Sequence, residues 1–290
     1  MCLPARENSV TDFDSLLAAN DPERRAAALF APAGLRARLY ALYAFYHEVA
    51  QIPDKVSEPV IGEMRLAWAR EAVSDLFSDP PKVRRHDIYE ALSELREAPG
   101  APDQKGLAGL VEARAADLGE GPFPTREDRR DYVDRTSGAL IQIAARMLKP
   151  DLDLGGEPGV AITAAGRLWG FVGLLRAFAP LVQAGRPPFS ADELAGADLS
   201  EADLAAGRKP DAAKAALSGL LTEARDAAGM LTRTRSALPA DVFPALGYVS
   251  LARGYLHSAQ RLKDPYREQI ERAPLGQNAR LTWASLTGRV

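Results

Sequence analysis

The sequence predicts one all-α domain, a bundle of helices. Three observations support this fold class. Apolar residues recur at intervals of three and four over most of the chain, which is typical of helices with one buried face. No segment alternates apolar and polar residues in the way a strand does, and no internal repeat or long linker divides the 290 residues. We expect residues 1–10 to be disordered and residues 11–290 to form the domain.

The segment 32–54 (PAGLRARLYALYAFYHEVAQIPD) predicts the helix around which the bundle is built. It carries two stripes of residues with the same helical spacing. The apolar stripe consists of Leu35, Leu39, Leu42, Tyr46 and Val49, and the second stripe consists of Arg36, Tyr40, Tyr43, His47, Ala50 and Asp54. Two such stripes predict a helix that is buried nearly all round. We expect the second stripe to face another helix or a cavity.

The other elements follow in chain order. Long helices are predicted over 11–28, 64–77, 87–97, 105–118, 125–148, 160–184, 211–238, 243–262 and 278–287, with short ones over 191–194 and 200–206. Asp21 before Pro22 signals a second helix start inside the first segment. Thr125 with Asp128 predicts a capped helix start. Residues 55–62 are predicted as a loop, and the helix over 160–184 is expected to break near Pro180.

Composition excludes several classes of function. The net charge is −3 and the basic residues are scattered, so nucleic acid is not expected as a partner. Cys2 is the only cysteine, which excludes disulfides and thiolate metal sites and favours a reducing compartment. The first residues lack the apolar core of a secretory signal, and no run approaches the length that crosses a bilayer. We expect a cytoplasmic protein, with peripheral attachment to the inner membrane as an alternative.

Three stretches together resemble the squalene/phytoene synthase family. They are Pro32–Arg36 followed by Ala41–Asp54, then Tyr132–Gly138 (YVDRTSG), and then Gly166–Arg176 (GRLWGFVGLLR). The resemblance covers residues 21–262 and implies the all-α isoprenoid (terpenoid) synthase fold. Family enzymes ionise an allylic diphosphate whose leaving group is stabilised by Mg²⁺. The resemblance therefore implies two acidic clusters, one on the helix of residues 32–54 and one after Arg176.

This chain departs from that pattern at both clusters. One carboxylate, Asp54, survives in the first cluster and none in the second, since the degenerate metal positions are Ala50, Gln51, Ala177, Pro180 and Leu181. One aspartate cannot assemble a cage of several Mg²⁺ ions, and stabilisation of developing charge is commonly the largest catalytic contribution. We therefore expect no metal site and no cofactor, and we assign no catalytic residue. Mg²⁺ would be expected only if the protein is an enzyme after all.

The non-catalytic branch of the family is more similar to this chain. The runs DKVSEPVIGEMRLAW, LLRAFAP and LPADVFPALGYVSL resemble the mitochondrial assembly factor for respiratory complex I that derives from phytoene synthase. This resemblance implies a role that depends on a protein partner or a membrane surface. The small residues Gly170, Gly173 and Ala177 on one helix face further suggest that the former active-site cavity is partly collapsed.

Several side chains are candidates for a vestigial diphosphate pocket: Arg36, Tyr40, Tyr43, His47, Asp54, Tyr132 and Arg176. For each, an ordinary structural role is weighed against binding. Arg36 can hold an anion or pair with Asp54 or another acid, and these alternatives stay open. Asp54 is interpreted as a loop cap and Arg176 as internally paired, while the rings are interpreted as core. Arg65 and Trp68 are candidates for an interaction surface, because such residues are enriched at hot spots.

The leading hypothesis from the sequence is a non-catalytic family member that acts through protein or membrane contacts, with complex I assembly as one such role. One alternative is an active head-to-head prenyl transferase of the squalene or phytoene type. Another is an isoprenoid or lipid carrier that keeps the apolar pocket without the chemistry.

Overall fold

The computed structural model describes residues 12–270 and 274–288, so the prediction of disorder for residues 1–10 lies outside the described residues. The α-helices in the described ranges are α1 (Phe13–Asn20), α2 (Pro22–Ala28), α3 (Ala33–Ala50), α4 (Pro59–Leu76), α5 (Asp87–Leu95), α6 (Gln104–Glu112), α7 (Arg126–Val133), α8 (Ala139–Leu148), α9 (Glu157–Arg176), α10 (Phe178–Gln183), α11 (Ala191–Gly196), α12 (Glu201–Ala205), α13 (Pro210–Thr234), α14 (Phe243–Leu246), α15 (Ala252–Gln260) and α16 (Pro274–Thr287). Extended pairing within these ranges is limited to one isolated parallel bridge between Phe123 and Ser190. The all-α prediction is confirmed.

The helix α3 lies in the interior, as its two stripes predict. Every residue from Leu39 to Phe45 is buried, whereas the first turn remains exposed. The helix begins after Pro32, and a short 3₁₀ turn, Pro53–Lys55, follows it. Its neighbours include α1, α2, α5 and α8. The middle of the helix is therefore buried nearly all round, as the two stripes predict, and its two ends are not.

The second interior helix is α9, which packs along the length of α13. It is also long and apolar enough to span a membrane by length and composition, but 67% of its most apolar 18-residue window is buried inside the bundle. Burial of this kind is what the core helix of a bundle requires. The helix ends at Arg176, and α10 starts at Phe178. The predicted break near Pro180 therefore lies earlier, at Ala177, and Pro180 sits inside the short α10.

A π-helical turn, Asp134–Gly138, joins α7 to α8. The start of α7 has the predicted capping box between Thr125 and Asp128. The turn lies close against α9, because a Cβ atom built on Gly166 would stand 2.5 Å from the Cα of Gly138. Wide turns of this kind occur often at functional sites, where they redirect side chains.

Two further predicted boundaries are wrong in detail. Residues 55–62 are not all loop, since α4 begins at Pro59, a residue type that suits a first helical position. The helix predicted over 105–118 changes to a tighter 3₁₀ helix at Ala113–Leu118. That change brings Arg114 and Asp117 toward the interior, where they form part of the site described next.

Candidate functional site

A cavity of about 300 Å³ lies between α3, the 3₁₀ helix Ala113–Leu118, the π-helical turn and the C-terminal half of α9. We call it the central cavity. The side chains on its wall that matter below are Arg24, Tyr46, Ala50, Asp54, Arg114, Asp117, Tyr132, Ser137, Gly173, Ala177, Leu181 and Arg186. An outer groove of about 400 Å³ adjoins it and shares Asp117, Tyr132, Leu181 and Arg186 with it. The wall therefore combines small, apolar and strongly charged residues.

Two guanidinium groups enclose Tyr46 in this wall. Arg24 lies over the ring at 5.2 Å from its centre, and Arg114 lies over the same ring at 4.8 Å. Both arginines are more than nine-tenths buried. Arg24 pairs with Asp21 at 2.6 Å and donates to the hydroxyl of Tyr248. Cation–π contacts of this kind strengthen when they are shielded from water, so the three side chains form one rigid unit.

Asp117 connects the remaining polar groups. It accepts hydrogen bonds from Arg114 at 3.1 Å and from the hydroxyl of Tyr132 at 2.9 Å. Arg186 donates to the main-chain oxygen of Asp117 at 2.6 Å and to the carboxylate of Asp54 at 3.1 Å. Burial raises the pKa of Tyr132 well above its ordinary value, so its hydroxyl stays a donor at any physiological pH. Each carboxylate of the cavity is thus already held by a guanidinium.

The donor set does not suit Mg²⁺. The first degenerate cluster leaves Ala50 on the cavity wall, and Gln51 follows the end of α3. The second leaves Ala177 and Leu181 on the wall opposite. Within the part of the chain that the structure describes, no three Asp, Glu, His or Cys side chains come together to hold a metal ion. Mg²⁺ needs several free carboxylate or phosphate oxygens, and the carboxylate of Asp54 is engaged by Arg186.

The structure gives partners for Asp54 and Arg36, and the predicted role of Asp54 is wrong. Asp54 is not a loop cap, because its carboxylate binds Arg186 while 68% of the side chain stays exposed. Arg36 does not pair with Asp54. It donates instead to the main-chain oxygens of Leu29 and Ala31, at 3.3 and 3.1 Å, and lies outside the central cavity. Carbonyl groups at the end of a helix have no hydrogen-bond donor within that helix. Arg36 supplies a donor to two such oxygens in the segment that follows α2.

The rings of the second stripe on α3 also lie outside the central cavity. Tyr40 is buried beside α1, where burial and then the neighbouring Asp14 carboxylate raise its pKa to about 12. Tyr43 is fully buried, and burial raises its pKa strongly. His47 is half-buried, and burial lowers its pKa, so the imidazole is neutral at pH 7. Of this stripe, the structure brings only Ala50 and Asp54 to the cavity.

Arg176 has an internal partner. It forms an ion pair with Glu23 at 3.0 Å, and its guanidinium lies 4.3 Å from the centre of the Tyr255 ring. Glu23 also accepts a hydrogen bond from the hydroxyl of Tyr255 at 2.7 Å. These contacts join the end of α9 to α2 and α15, away from the central cavity. Arg176 therefore contributes to packing in this structure.

The two surface candidates lie on α4. Arg65 is exposed, and Trp68 is 43% exposed with its ring against Tyr89 and under Arg84. Val60 and Met64, which are 56% and 68% exposed, extend the same side of the helix. We call the set of Val60, Met64, Arg65 and Trp68 the α4 surface. It combines an apolar stripe with an exposed arginine.

Sequence reasoning missed Arg24, Arg114, Asp117 and Arg186 as cavity residues. They come from three distant segments, and each is a common charged residue without a recognisable motif around it. A usable signal was present at Tyr46, whose polar-edged ring belongs to the apolar stripe of α3. Tyr132, which the sequence did single out, is part of the cavity.

The chain is similar in sequence to known proteins. Residues 17–279 match the family model described as squalene/phytoene synthase. Complex I assembly factor 6 from Bos taurus is 28% identical over 144 residues, and that from Homo sapiens is 26% identical over the same length. Each match covers 46% of this chain and 39% of the relative, so it spans less than half of either protein.

Solved structures match over nearly the whole chain. The squalene synthase HpnC from Alicyclobacillus acidocaldarius superposes with a TM-score of 0.69 at 18% identity, covering 95% of this chain and 92% of that one. A dehydrosqualene synthase in complex with ligand gives a TM-score of 0.78 at 15% identity, covering 95% and 94%. At such low identity these likenesses establish the fold, which is that of isoprenoid synthases.

Proposed function

The chain belongs to the squalene/phytoene synthase family, and we propose that within this family it has a non-catalytic role, acting through protein contacts in the assembly of respiratory complex I. The observation that carries the proposal is the donor set of the central cavity. Of the positions that replace the two acidic clusters, Ala50 at the end of α3 and Ala177 and Leu181 after α9 line this cavity. Without carboxylates there, an Mg²⁺–diphosphate cage has too few ligands.

The similarity to complex I assembly factor 6 supports the partner class. The α4 surface supplies a place for such contact. Exposed Val60, Met64 and Trp68 form its apolar part. The charges around Trp68 are mixed, since Arg84 lies over its ring and pairs with Glu71, one helical turn from Trp68. A rim of both signs fits a protein better than an anionic membrane, which attracts surfaces with an excess of basic residues. Such a role would be carried out in the cytoplasm, at the inner membrane where complex I is built.

A direct assay tests the absence of catalysis. Purified protein is incubated with farnesyl or geranylgeranyl diphosphate, with and without Mg²⁺, and condensed products are sought by mass spectrometry. We expect no product under either condition. Mg²⁺-dependent formation of a condensed hydrocarbon would overturn the proposal and would favour the prenyl transferase alternative.

A second assay tests the protein contacts. In a strain that lacks the protein, we expect less assembled complex I on native gels, and recovery when the wild-type protein is restored. Trp68→Ala combined with Arg65→Glu should fail to restore it while folding normally. Trp283→Ala combined with Arg225→Glu is the matched control, because it changes an exposed tryptophan on α16 and an exposed arginine on α13, both outside α4. Equal recovery by both double variants would exclude the α4 surface.

A further inference from the structure

The outer groove has an acidic rim. Three exposed carboxylates line it, those of Glu120, Asp128 and Asp131. The exposed guanidinium among them is Arg135, which lies 3.6 Å from Asp131 and leaves 65% of that aspartate accessible to water. Glu120 forms no ion pair with any residue in the described ranges. Arg186 lies deeper and is already paired with other carboxylates. Because an exposed ion pair is weak, the rim stays negative overall.

An aromatic pair lies beside this rim. The rings of Phe123 and Tyr132 are 5.5 Å apart, centre to centre, and tilted by 53°. Among the described residues no guanidinium lies over Phe123, whereas Tyr46 of the central cavity is already covered by two. The face of an aromatic ring attracts a cation, and carboxylates nearby strengthen that attraction. The rest of the wall is apolar and rich in proline, with Pro122, Pro124, Leu174, Leu181 and Pro187.

The main chain of the groove is rigid and offers few free donors. The amides of Gly121 and Phe123 both donate, at 2.8 Å, to the segment 185–189 on the opposite side. Pro122 and Pro124 have no N–H group and a fixed φ angle. An added strand would need free main-chain donors, so this groove can recognise a peptide only through side chains. A preformed groove of this kind also costs little to order on binding.

We propose that the outer groove binds an extended, proline-containing segment of a partner protein, with an arginine of that segment on Phe123 and among the carboxylates of the rim. Guanidinium suits both contacts, because it stacks on aromatic rings and donates to carboxylates in a planar fork. Prolines beside the arginine pack on the apolar wall, and an extended proline-rich segment loses little conformational entropy on binding. The rim repels phosphate groups, so nucleic acid and anionic lipid are not expected here. The inference rests on this groove and not on the assembly role.

Isothermal titration of the full chain with short peptides tests the proposal. The probe is Ala-Pro-Pro-Arg-Pro-Pro-Ala, blocked at both ends, and the comparison peptides carry glutamine or glutamate in place of arginine. We expect saturable binding of the arginine peptide at one site per chain, weakened by added salt. Binding of the glutamine peptide should be weaker by about tenfold or more, because it lacks the charge-assisted hydrogen bonds. No saturable binding of the arginine peptide, or equal binding of the glutamine peptide, would overturn the proposal.

A double variant of the rim locates the site. Glu120→Gln combined with Asp131→Asn should weaken binding of the arginine peptide about tenfold. The thermal midpoint should not fall, because Glu120 has no ion pair and that of Asp131 is exposed. Glu90→Gln combined with Asp211→Asn is the matched control, since it removes two exposed carboxylates that do not line the groove. Equal losses of affinity in the two double variants would reveal unspecific attraction to an acidic protein and would refute the site.

Phe123→Leu tests the place of the arginine. This variant keeps an apolar side chain but removes the ring, so the arginine peptide should bind about threefold to tenfold more weakly. The glutamine peptide should lose much less, and Phe123→Tyr, which keeps the ring, should retain the affinity for the arginine peptide. Equal losses for the two peptides would contradict stacking of a guanidinium on this ring. The titrations use the purified chain, so they can fail while the assembly assay succeeds, and the reverse.

Discussion

A buried ion cluster whose residues do not line the central cavity gives the sharpest prediction about stability. Arg129 on α7 is fully buried and binds Glu193 of α11 at 2.5 and 2.9 Å. It also forms hydrogen bonds to Glu223 of α13, one of them from Nε at 3.1 Å, and donates to the main-chain oxygen of Pro188 at 3.0 Å. One guanidinium thus holds three helices together through two carboxylates that are themselves nearly buried.

Replacing this arginine leaves those carboxylates without their main partner. Arg129→Met keeps much of the volume and removes the charge. Breaking a buried ion pair from one side costs about 3–5 kcal/mol. With an unfolding entropy of about 2.1 cal/mol/K per residue, a chain of 290 residues changes its midpoint by roughly 5–8 °C for that loss. Thermal unfolding followed by circular dichroism measures the change directly.

The same substitution at a surface pair is the control. Arg208 is 59% exposed and pairs with Asp203, so Arg208→Met should lower stability by at most about 1 kcal/mol. Equal thermal midpoints for Arg129→Met and Arg208→Met would refute the reasoning, because the buried ion pairs would then contribute no more to stability than the exposed one.

The pH dependence gives an independent check of the cause. Burial alone would raise the pKa of Glu193, but hydrogen bonds from Arg129 and from the Ser190 amide hold that pKa below its ordinary value. This carboxylate therefore stabilises the wild-type protein above its unfolded pKa, and the contribution is lost as the pH falls through the folded pKa. Without Arg129, only Arg126 and the Ser190 amide oppose the effect of burial, so the pKa of Glu193 in the folded variant should be higher than in the folded wild type. The difference in stability between wild type and Arg129→Met should therefore narrow as the pH falls from 7 toward 4. A constant difference would exclude this explanation.

Two further predictions concern packing and buried hydroxyls. Gly166→Ala should destabilise the protein by about 1–3 kcal/mol in chemical denaturation, because its Cβ would overlap the backbone of the π-helical turn. Gly173→Ala is the control: its Cβ would have nothing within 4 Å, so the variant should be neutral or slightly stabilised. Similar free energies of unfolding for the two variants would contradict the close contact between α9 and the turn. The pKa of Tyr40 and that of Tyr248 are each raised to about 12, mainly by burial, so folding is favoured below pH 10 and this contribution is lost as the pH rises toward 12. Phenolate absorbance of these two residues should then appear together with unfolding. Tyr40→Phe and Tyr248→Phe should each leave the absorbance change before unfolding unchanged, and a smaller change there in either variant would show that the replaced hydroxyl ionises in the folded state.

Local periodicity predicted the helices well because helix formation and burial both depend on residues that are near in sequence. The two stripes of α3 correctly predicted a helix buried on all sides, and Thr125 with Asp128 correctly predicted a cap. Boundaries depend on tertiary contacts instead. The break at Ala177 was placed too late, because proline was taken as the stop signal and is in fact tolerated in the first turn of α10.

The site was harder to predict, since a stripe defines a face of a helix but not the neighbour that covers it. The first half of the second stripe on α3 lies against other helices, and only its end, at Ala50 and Asp54, reaches the cavity. For the same reason the sequence does not predict that Arg36 donates to main-chain oxygens. Arg114 and Arg186 enter the cavity through loops and 3₁₀ turns, whose course no periodicity encodes.

The lost acidic clusters and the arginine-lined wall together define one electrostatic difference from a metal-dependent site. A site that binds a diphosphate through Mg²⁺ needs negative protein groups to hold the metal, and here the corresponding positions are small or apolar. Gly173 and Ala177 leave the space open rather than filling it, although larger apolar residues there would remove a cavity and add packing contacts. An open space of about 300 Å³, bordered by several charged side chains, is poorly suited to remain dry.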